Sequence, residues 1–222
     1  MHLSQEPIRR ALGTHLSMTI TTLITAHPAE DSFNSSLAKA WQRGAERSGA
    51  TVRHFDVNKL RFDPVLRDAF RTKMADEPDL AELRASFEAS SHVTWVFPTW
   101  WVGMPAMLKG LIDRLFLPGW AFKFEGKALP TGFMAGKSTR YVTTMDSPNL
   151  WYRLGNHDAL AGSFGRGTLS FCGFAPVRRT LIFSAKDLDA AKRKKWAERL
   201  ELEGARDVAG QKSAQLLVAR SS

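Results

Sequence analysis

Apolar residues recur along this chain in two periods, and the periods alternate. Residues 19–25 (TITTLIT) are β-branched and apolar, as a buried strand requires. Leu37, Trp41, Gly44 and Ala45 then fall at i, i+4, i+7 and i+8, the stripe of an amphipathic helix. Residues 51–57 predict a second strand. Residues 79–89 predict a helix with Leu80, Leu83 and Phe87 on one face, and 92–97 a third strand. Pro105 suits the first turn of another helix, whose inner face is Leu108, Leu111, Ile112 and Leu115. The aromatic stretch 116–131, rich in Gly and Pro, predicts an ordered loop or hairpin. Residues 140–144 and 177–183 supply the fourth and fifth strands. Helices are expected over 156–171 and from 187 to about 203, with a frayed tail beyond.

Strands that alternate with helices imply a parallel sheet with right-handed crossovers. Five strands with helices on both faces predict a doubly wound α/β fold of strand order 2-1-3-4-5. Residues 18–205 would form this single domain. An unstructured extension is expected over 1–17 and a tail over 206–222. Ligands of such sheets bind beyond the carboxyl ends of the strands, where the connections diverge. The loops that matter are therefore 26–34, 98–105 and 145–157.

Composition narrows the function classes. A chain of 222 residues that is 44% hydrophobic can bury the core of one large domain. No stretch approaches the ~20 apolar residues needed to cross a bilayer. The single cysteine, Cys172, excludes an internal disulfide and a Cys-based zinc site, and fits a reducing, cytoplasmic setting. The six histidines form no HxH or HxxxH pair, so no metal site is expected. A formal charge of +9 favours anionic ligands. No basic-aromatic motif points to nucleic acid. The run Lys192-Arg193-Lys194-Lys195 lies in a helical pattern and reads as a solvated face.

The three loops carry complementary chemistry. In AHPAEDSFN (26–34), a strand runs into a helix whose N-terminus offers unpaired N–H groups to a phosphate. Ser32 and Asn34 can cap that helix or donate to the phosphate, and His27 adds a donor. In FPTWWVGMP (97–105), two adjacent tryptophans at a strand end offer a surface for stacking. The third loop, TTMDSPNLWY (143–152) followed by GNH (155–157), brings hydroxyls, amides and an imidazole. A phosphate cradle, an aromatic wall and polar contacts together match the needs of a flavin nucleotide. Two apparent motifs fail. GFMAGKS (132–138) is one residue short of a P-loop and precedes its strand, and no GxGxxG occurs. Cys172, within FCGF, reads as a buried thiol.

With these residues in view, the sequence resembles the flavodoxin-like NAD(P)H:quinone oxidoreductases, the family of mammalian quinone reductases and bacterial drug-activity modulators. The resemblance spans about 18–205. It rests on AHPAEDSFN, FPTWWVGMPAMLKGLIDRLF (97–116), Thr143-Thr144, Gly155-Asn156-His157 and FCGF (171–174), all in order.

The resemblance implies roles. His27, Ser32, Phe33 and Asn34 would hold flavin phosphates. Pro98, Thr99, Trp100, Trp101 and Val102 would line the isoalloxazine, with backbone N–H groups near its N5 edge. Thr143, Thr144 and the amides of Met145 and Asp146 would meet the pyrimidine end. His157, Trp101 and Trp151 would be the catalytic positions. Trp101, Phe122 and Phe124 would form the acceptor slot, completed by a second copy in a homodimer. The implied cofactor is FAD, with FMN the alternative, and NADPH or NADH the co-substrate. Hydride would pass from NAD(P)H through flavin N5 to a quinone or similar flat acceptor in ping-pong order. The alternative is a flavin-binding accessory subunit of a cation-efflux or other membrane system. Two departures stand out. The family has glycines where this chain has Met145-Asp146, and a tyrosine where Trp151 aligns. An indole donates a hydrogen bond but exchanges no proton at neutral pH, so whether Trp151, the neighbouring Tyr152 or neither takes that tyrosine's place is left open by the sequence.

Overall fold

The structure, a computed structural model, describes residues 19–221 except 68, 70, 72, 73, 76 and 127–129; of 212–221 only the backbone is described. The expected extension over 1–17 lies outside the described residues. In chain order the elements are β1 (Thr19–Thr25), α1 (Phe33–Arg47), β2 (Ala50–Asp56), α2 (Pro78–Ala89), β3 (His92–Pro98) and α3 (Ala106–Leu115). A two-stranded ribbon follows, β4 (Phe122–Lys123) with β5 (Thr131–Gly132), then β6 (Ser138–Thr144), β7 (Val177–Ile182) and α4 (Ala190–Ser221).

The five long strands pair in parallel in the order β2-β1-β3-β6-β7. This is the expected 2-1-3-4-5 arrangement, with the antiparallel ribbon as the insertion foreseen over 116–131. β3 is buried at all seven positions because helices cover both faces of the sheet. Leu23, Val96, Val142 and Ile182 face α1 and α4. Ile24, Val93, Trp95, Phe97 and Tyr141 face α2 and α3. Alternate side chains of one strand thus feed opposite cores.

The end of the chain departs from expectation. The last helix starts at Ala190, behind a short 3-10 turn (Ala185–Asp187), and continues to Ser221. Residues 206–211 are no frayed tail: Asp207, Val208 and Gln211 are buried. They close a polar cluster over the sheet. Arg140 of β6 bonds Asp207, Glu203 and Thr180, and Trp41 Nε1 donates to Asp207 Oδ2 at 3.1 Å. Periodicity could not show this, because two of those three buried residues, Asp207 and Gln211, are polar.

The segment expected as a helix over 156–171 is two wide π-helical pieces, Trp151–Gly155 and Ala161–Ser170. Between them His157 and Asp158 both adopt left-handed backbone, φ +50° and +51°. The residues explain the wide turns. Ser163 Oγ bonds the Ala159 carbonyl and Thr168 Oγ1 the Ser163 carbonyl, while Gly162, Gly165 and Gly167 favour a regular α-helix poorly.

Candidate functional site

β1, β3 and β6 are neighbours, and their carboxyl ends bring the three loops together. The connections after β1 and β3 diverge to opposite sides, which opens a crevice between them. His27 and Trp100 face each other across it, ring centroids 6.2 Å apart.

The first loop turns into α1. Ser32 is the N-cap, and its Oγ accepts from Ser35 N–H at 3.2 Å. Among the described residues the N–H groups of Phe33 and Asn34 have no acceptor, so the helix N-terminus offers two donors and the positive end of its dipole. Ala29 N–H donates to His27 Nδ1 at 3.0 Å. The same nitrogen lies 3.3 Å from the Ala29 carbonyl oxygen, so both contacts hold the ring by its Nδ1 side. The His27 carbonyl accepts from Asn58 Nδ2 at 3.0 Å, and Asn58 is itself held by Asp56 Oδ1. Asn58 was not a predicted residue. Its Asp-Val-Asn context at the end of β2 signals only a local turn.

Asn34 does not reach outward as a donor to phosphate. It is buried, and its Nδ2 donates to Thr144 Oγ1 at 2.9 Å, lacing α1 to the end of β6. Its Oδ1 is buried with no partner among the described residues, an acceptor that a bound group would satisfy. Thr144 Oγ1 accepts from Asn34 and so keeps its own hydrogen for donation. Its carbonyl takes Thr99 N–H at 2.7 Å, and the hydroxyls of Thr99 and Thr143 lie 2.7 Å apart.

The second loop is a tight turn. Trp100 and Gly103 exchange both backbone hydrogen bonds, each 2.9 Å. The central residues Trp101 and Val102 are left-handed, φ +51° and +63°. Such turns ordinarily use Asn and Gly at these places, and each bulky residue here costs about 1–2 kcal/mol. The result is a fully exposed Trp101 indole, with the adjacent N–H groups of Trp101 and Val102 uncommitted among the described residues. Strain held at a crevice mouth marks a built site.

The third loop is only partly as expected. Met145 is buried, and its N–H donates to the Ile182 carbonyl at 2.9 Å, so that amide is not free for a ligand. The reason is position: Met145 continues the β6–β7 ladder by one residue. Asp146 is exposed, and its Oδ1 accepts Lys186 N–H. Trp151 is exposed, its indole lying over Gly155, where an added Cβ would come within 3.1 Å of the ring. Tyr152 does not stand in for the family tyrosine at the surface. It is buried against Phe183 and its hydroxyl accepts Leu160 N–H at 3.1 Å. Burial raises the phenol's pKa, which keeps it protonated. His157 is exposed at the head of its left-handed turn.

Phe122 and Phe124 stand together on the ribbon, 5.7 Å apart, with Phe171 5.0 Å from Phe122. Phe124 is exposed. Of the basic run, Lys192, Lys194 and Lys195 are solvated as expected, while Arg193 folds over the Phe33 ring at 5.2 Å. Cys172 is buried and its thiol is pushed up to about 12 by that burial, which removes it as a nucleophile. Among the described residues no cluster of metal-ligating side chains occurs, and no helix is long and apolar enough to cross a membrane.

A flavin fits these residues. Its phosphate end needs the donors of the α1 N-terminus and His27. Its ring edge needs the exposed N–H pair of Trp101 and Val102, and its face an aromatic wall. Fold and crevice together define a doubly wound α/β protein with a crevice at the carboxyl ends of its strands. The chain belongs to the family described by the flavodoxin-like fold, whose profile matches residues 19–203. It is 27% identical over 212 residues to ribosyldihydronicotinamide dehydrogenase (quinone) of Mus musculus, covering 81% of this chain and 89% of that one. It is 26% identical over 206 residues to NAD(P)H dehydrogenase (quinone) 1 of Cavia porcellus, covering 81% and 75%. In fold it is similar to an FMN-dependent NADH-azoreductase from Bacillus anthracis solved with FMN. That match has a TM-score of 0.71 at 13% identity, over 86% of this chain and 100% of that one.

Proposed function

We propose that this chain is a flavin-dependent NAD(P)H oxidoreductase that delivers a hydride to a quinone or similarly flat acceptor. The observation that carries the reading is the turn Trp100–Gly103. It holds two bulky residues in left-handed backbone at a strand end, and what the strain secures is an exposed indole beside two free, adjacent N–H donors. The named activities of the mammalian homologues support the same reaction class.

When bound, a flavin supplies two-electron hydride chemistry, which the side chains themselves do not offer. The chain's own groups do the rest. The N-terminus of α1 and His27 Nε2 would bind phosphate. The Trp101 and Val102 N–H groups would orient the ring edge and stabilise negative charge developing there. The Thr144 hydroxyl, free to donate, would meet the opposite edge. His157 would hold a proton for the same charge. Trp101 with Phe122 and Phe124 would stack a flat acceptor and exclude water from it. Donor and acceptor would use one slot in turn, the ping-pong order. FAD stands before FMN through the family resemblance, and chromatography of the released chromophore decides between them. The exposed apolar residues Trp101, Leu150, Trp151 and Leu154 support a homodimer that covers them.

The test is the visible spectrum of purified protein, reconstituted with flavin if colourless, followed by anaerobic NADPH and then a quinone. Flavin bands that bleach and return support the reading. A protein that takes up neither FAD nor FMN overturns it.

A further inference from the structure

His157 stands at the head of a left-handed turn. Both His157 and Asp158 adopt this backbone, which histidine and aspartate enter more readily than most non-glycine residues. The turn is closed by backbone bonds from Asp158 N–H to the Tyr152 carbonyl, 3.2 Å, and from Ala161 N–H to the Asp158 carbonyl, 2.9 Å. These bonds lie within one segment and leave open how that segment is fixed against the sheet. The fixing contact is long-range. Asp158 Oδ2 accepts from Arg179 Nη1, twenty-one positions away on the edge strand β7. The Arg179 guanidinium also acts electrostatically on the Tyr141 hydroxyl of β6. The other carboxylate oxygen, Asp158 Oδ1, is buried and has no partner among the described residues. Without Arg179 the turn would carry a half-buried, uncompensated charge, and the least costly response is for the turn to open into water.

We propose that Arg179, acting through Asp158, is the positioning residue for His157: the ion pair clamps the left-handed turn to β7 and so fixes where the imidazole stands. The proposal rests on the reading that His157 serves the flavin site. Arg179 touches neither ligand nor imidazole in this scheme. Arginine suits the task because its planar, permanently charged guanidinium keeps the carboxylate paired at any pH the protein meets.

The experiment compares Arg179→Met, Arg179→Lys, His157→Gln and the double variant Arg179→Met/His157→Gln. One readout is amide hydrogen exchange over 155–159 in the flavin-free protein. A second is the rate of flavin reduction by NADPH under single-turnover conditions, and a third the midpoint potential of the bound flavin. The expected result is exchange at least tenfold faster in Arg179→Met and largely restored in Arg179→Lys. Arg179→Met and His157→Gln should slow reduction by similar factors and lower the potential in the same direction, with the double variant no slower than His157→Gln alone. Asp158→Asn, which keeps the shape of the turn, should reproduce Arg179→Met and serves if that variant folds poorly. Unchanged exchange and unchanged reduction in Arg179→Met, with His157→Gln still slow, would overturn the clamp and leave the role of His157 standing. Additive losses in the double variant would overturn it too, because Arg179 would then act independently of His157. A His157→Gln variant with normal reduction and potential removes the role being positioned, and the proposal with it. Failure to bind flavin in the unsubstituted protein is the separate outcome that defeats the functional reading itself.

Discussion

Arg140 grips Asp207 with two hydrogen bonds, Nε to Oδ2 at 2.6 Å and Nη2 to Oδ1 at 3.0 Å, in a part of the molecule almost closed to water. The pair joins β6 to a turn of α4 that lies beyond the family match. Removing Asp207 leaves Arg140 with Glu203 as its remaining carboxylate and Trp41 Nε1 without its acceptor, and breaking such a buried pair costs about 3–5 kcal/mol. Asp207→Ala is therefore expected to lower Tm by roughly 6–20 °C in a chain of this size. Replacing both, as Arg140→Met with Asp207→Leu, should recover most of the loss. Differential scanning calorimetry of the three proteins checks this.

His92 lies fully buried in the same cluster, stacked on Trp41 at 5.7 Å and 3.5 Å from Asp207. Burial drives its pKa down to about 4. Asp207 offsets part of that effect, whereas Arg140 and Arg178 add to it. The unfolded chain takes up a proton on this histidine near pH 6.5 and the folded protein only near 4, so the unfolded state binds more protons between those values. Stability is complete above the unfolded value and falls as pH drops through the window, by about 3 kcal/mol in all. Urea titrations at pH 7.5 and 4.5 should show the decline. His92→Gln should flatten the histidine part and leave the acid loss of the carboxylates.

Gly44 and Gly204 mark where α1 and α4 touch backbone to backbone. A Cβ at Gly44 would lie 1.8 Å from the Glu201 carbonyl oxygen, and one at Gly204 2.2 Å from that of Trp41. Neither carbonyl can yield without shifting a helix. Gly44→Ala should destabilise by about 3 kcal/mol, the upper part of the range for overpacking, despite the better helix propensity of alanine. Equilibrium unfolding in urea gives the figure.

Trp101 pairs strain with exposure, and the two predict opposite effects of one substitution. The indole buries nothing in this chain, while its backbone sits in the left-handed region. Trp101→Gly should raise stability by about 1 kcal/mol and lower turnover with flat acceptors at least tenfold. A variant both less stable and fully active would contradict the role assigned to the turn. Thermal melts and steady-state kinetics with a quinone test the two halves separately.

Much of the fold was legible because it depends on local periodicity. TITTLIT, HVTWVF and RYVTT are unbroken runs without turn residues, and such runs between amphipathic stripes leave few topologies open. The strand order then named the three loops. Within them, Ser32 as a cap and Trp101 as an exposed aromatic followed from residue type and place. What stayed hidden were commitments across long separations. Asn34 had the chemistry of a phosphate donor, and only packing turned it to Thr144, 110 positions away. Tyr152 had the chemistry of a proton relay, and burial against Phe183 withdrew it. Met145 offered a free amide until β7 claimed it.

By itself, then, the sequence determined the elements, their order in the sheet, the crevice between β1 and β3 and the residue types that surround it. These follow from hydrophobic spacing and turn chemistry, which act over a few residues. Tertiary structure alone decided which polar groups remain available. It docked α4 with Arg140 and Asp207 where a frayed tail was expected, broke the helix at His157, and set Arg179 against Asp158. A hydrogen bond or ion pair uses up a donor and an acceptor, and its partner is chosen by the folded geometry of the whole chain.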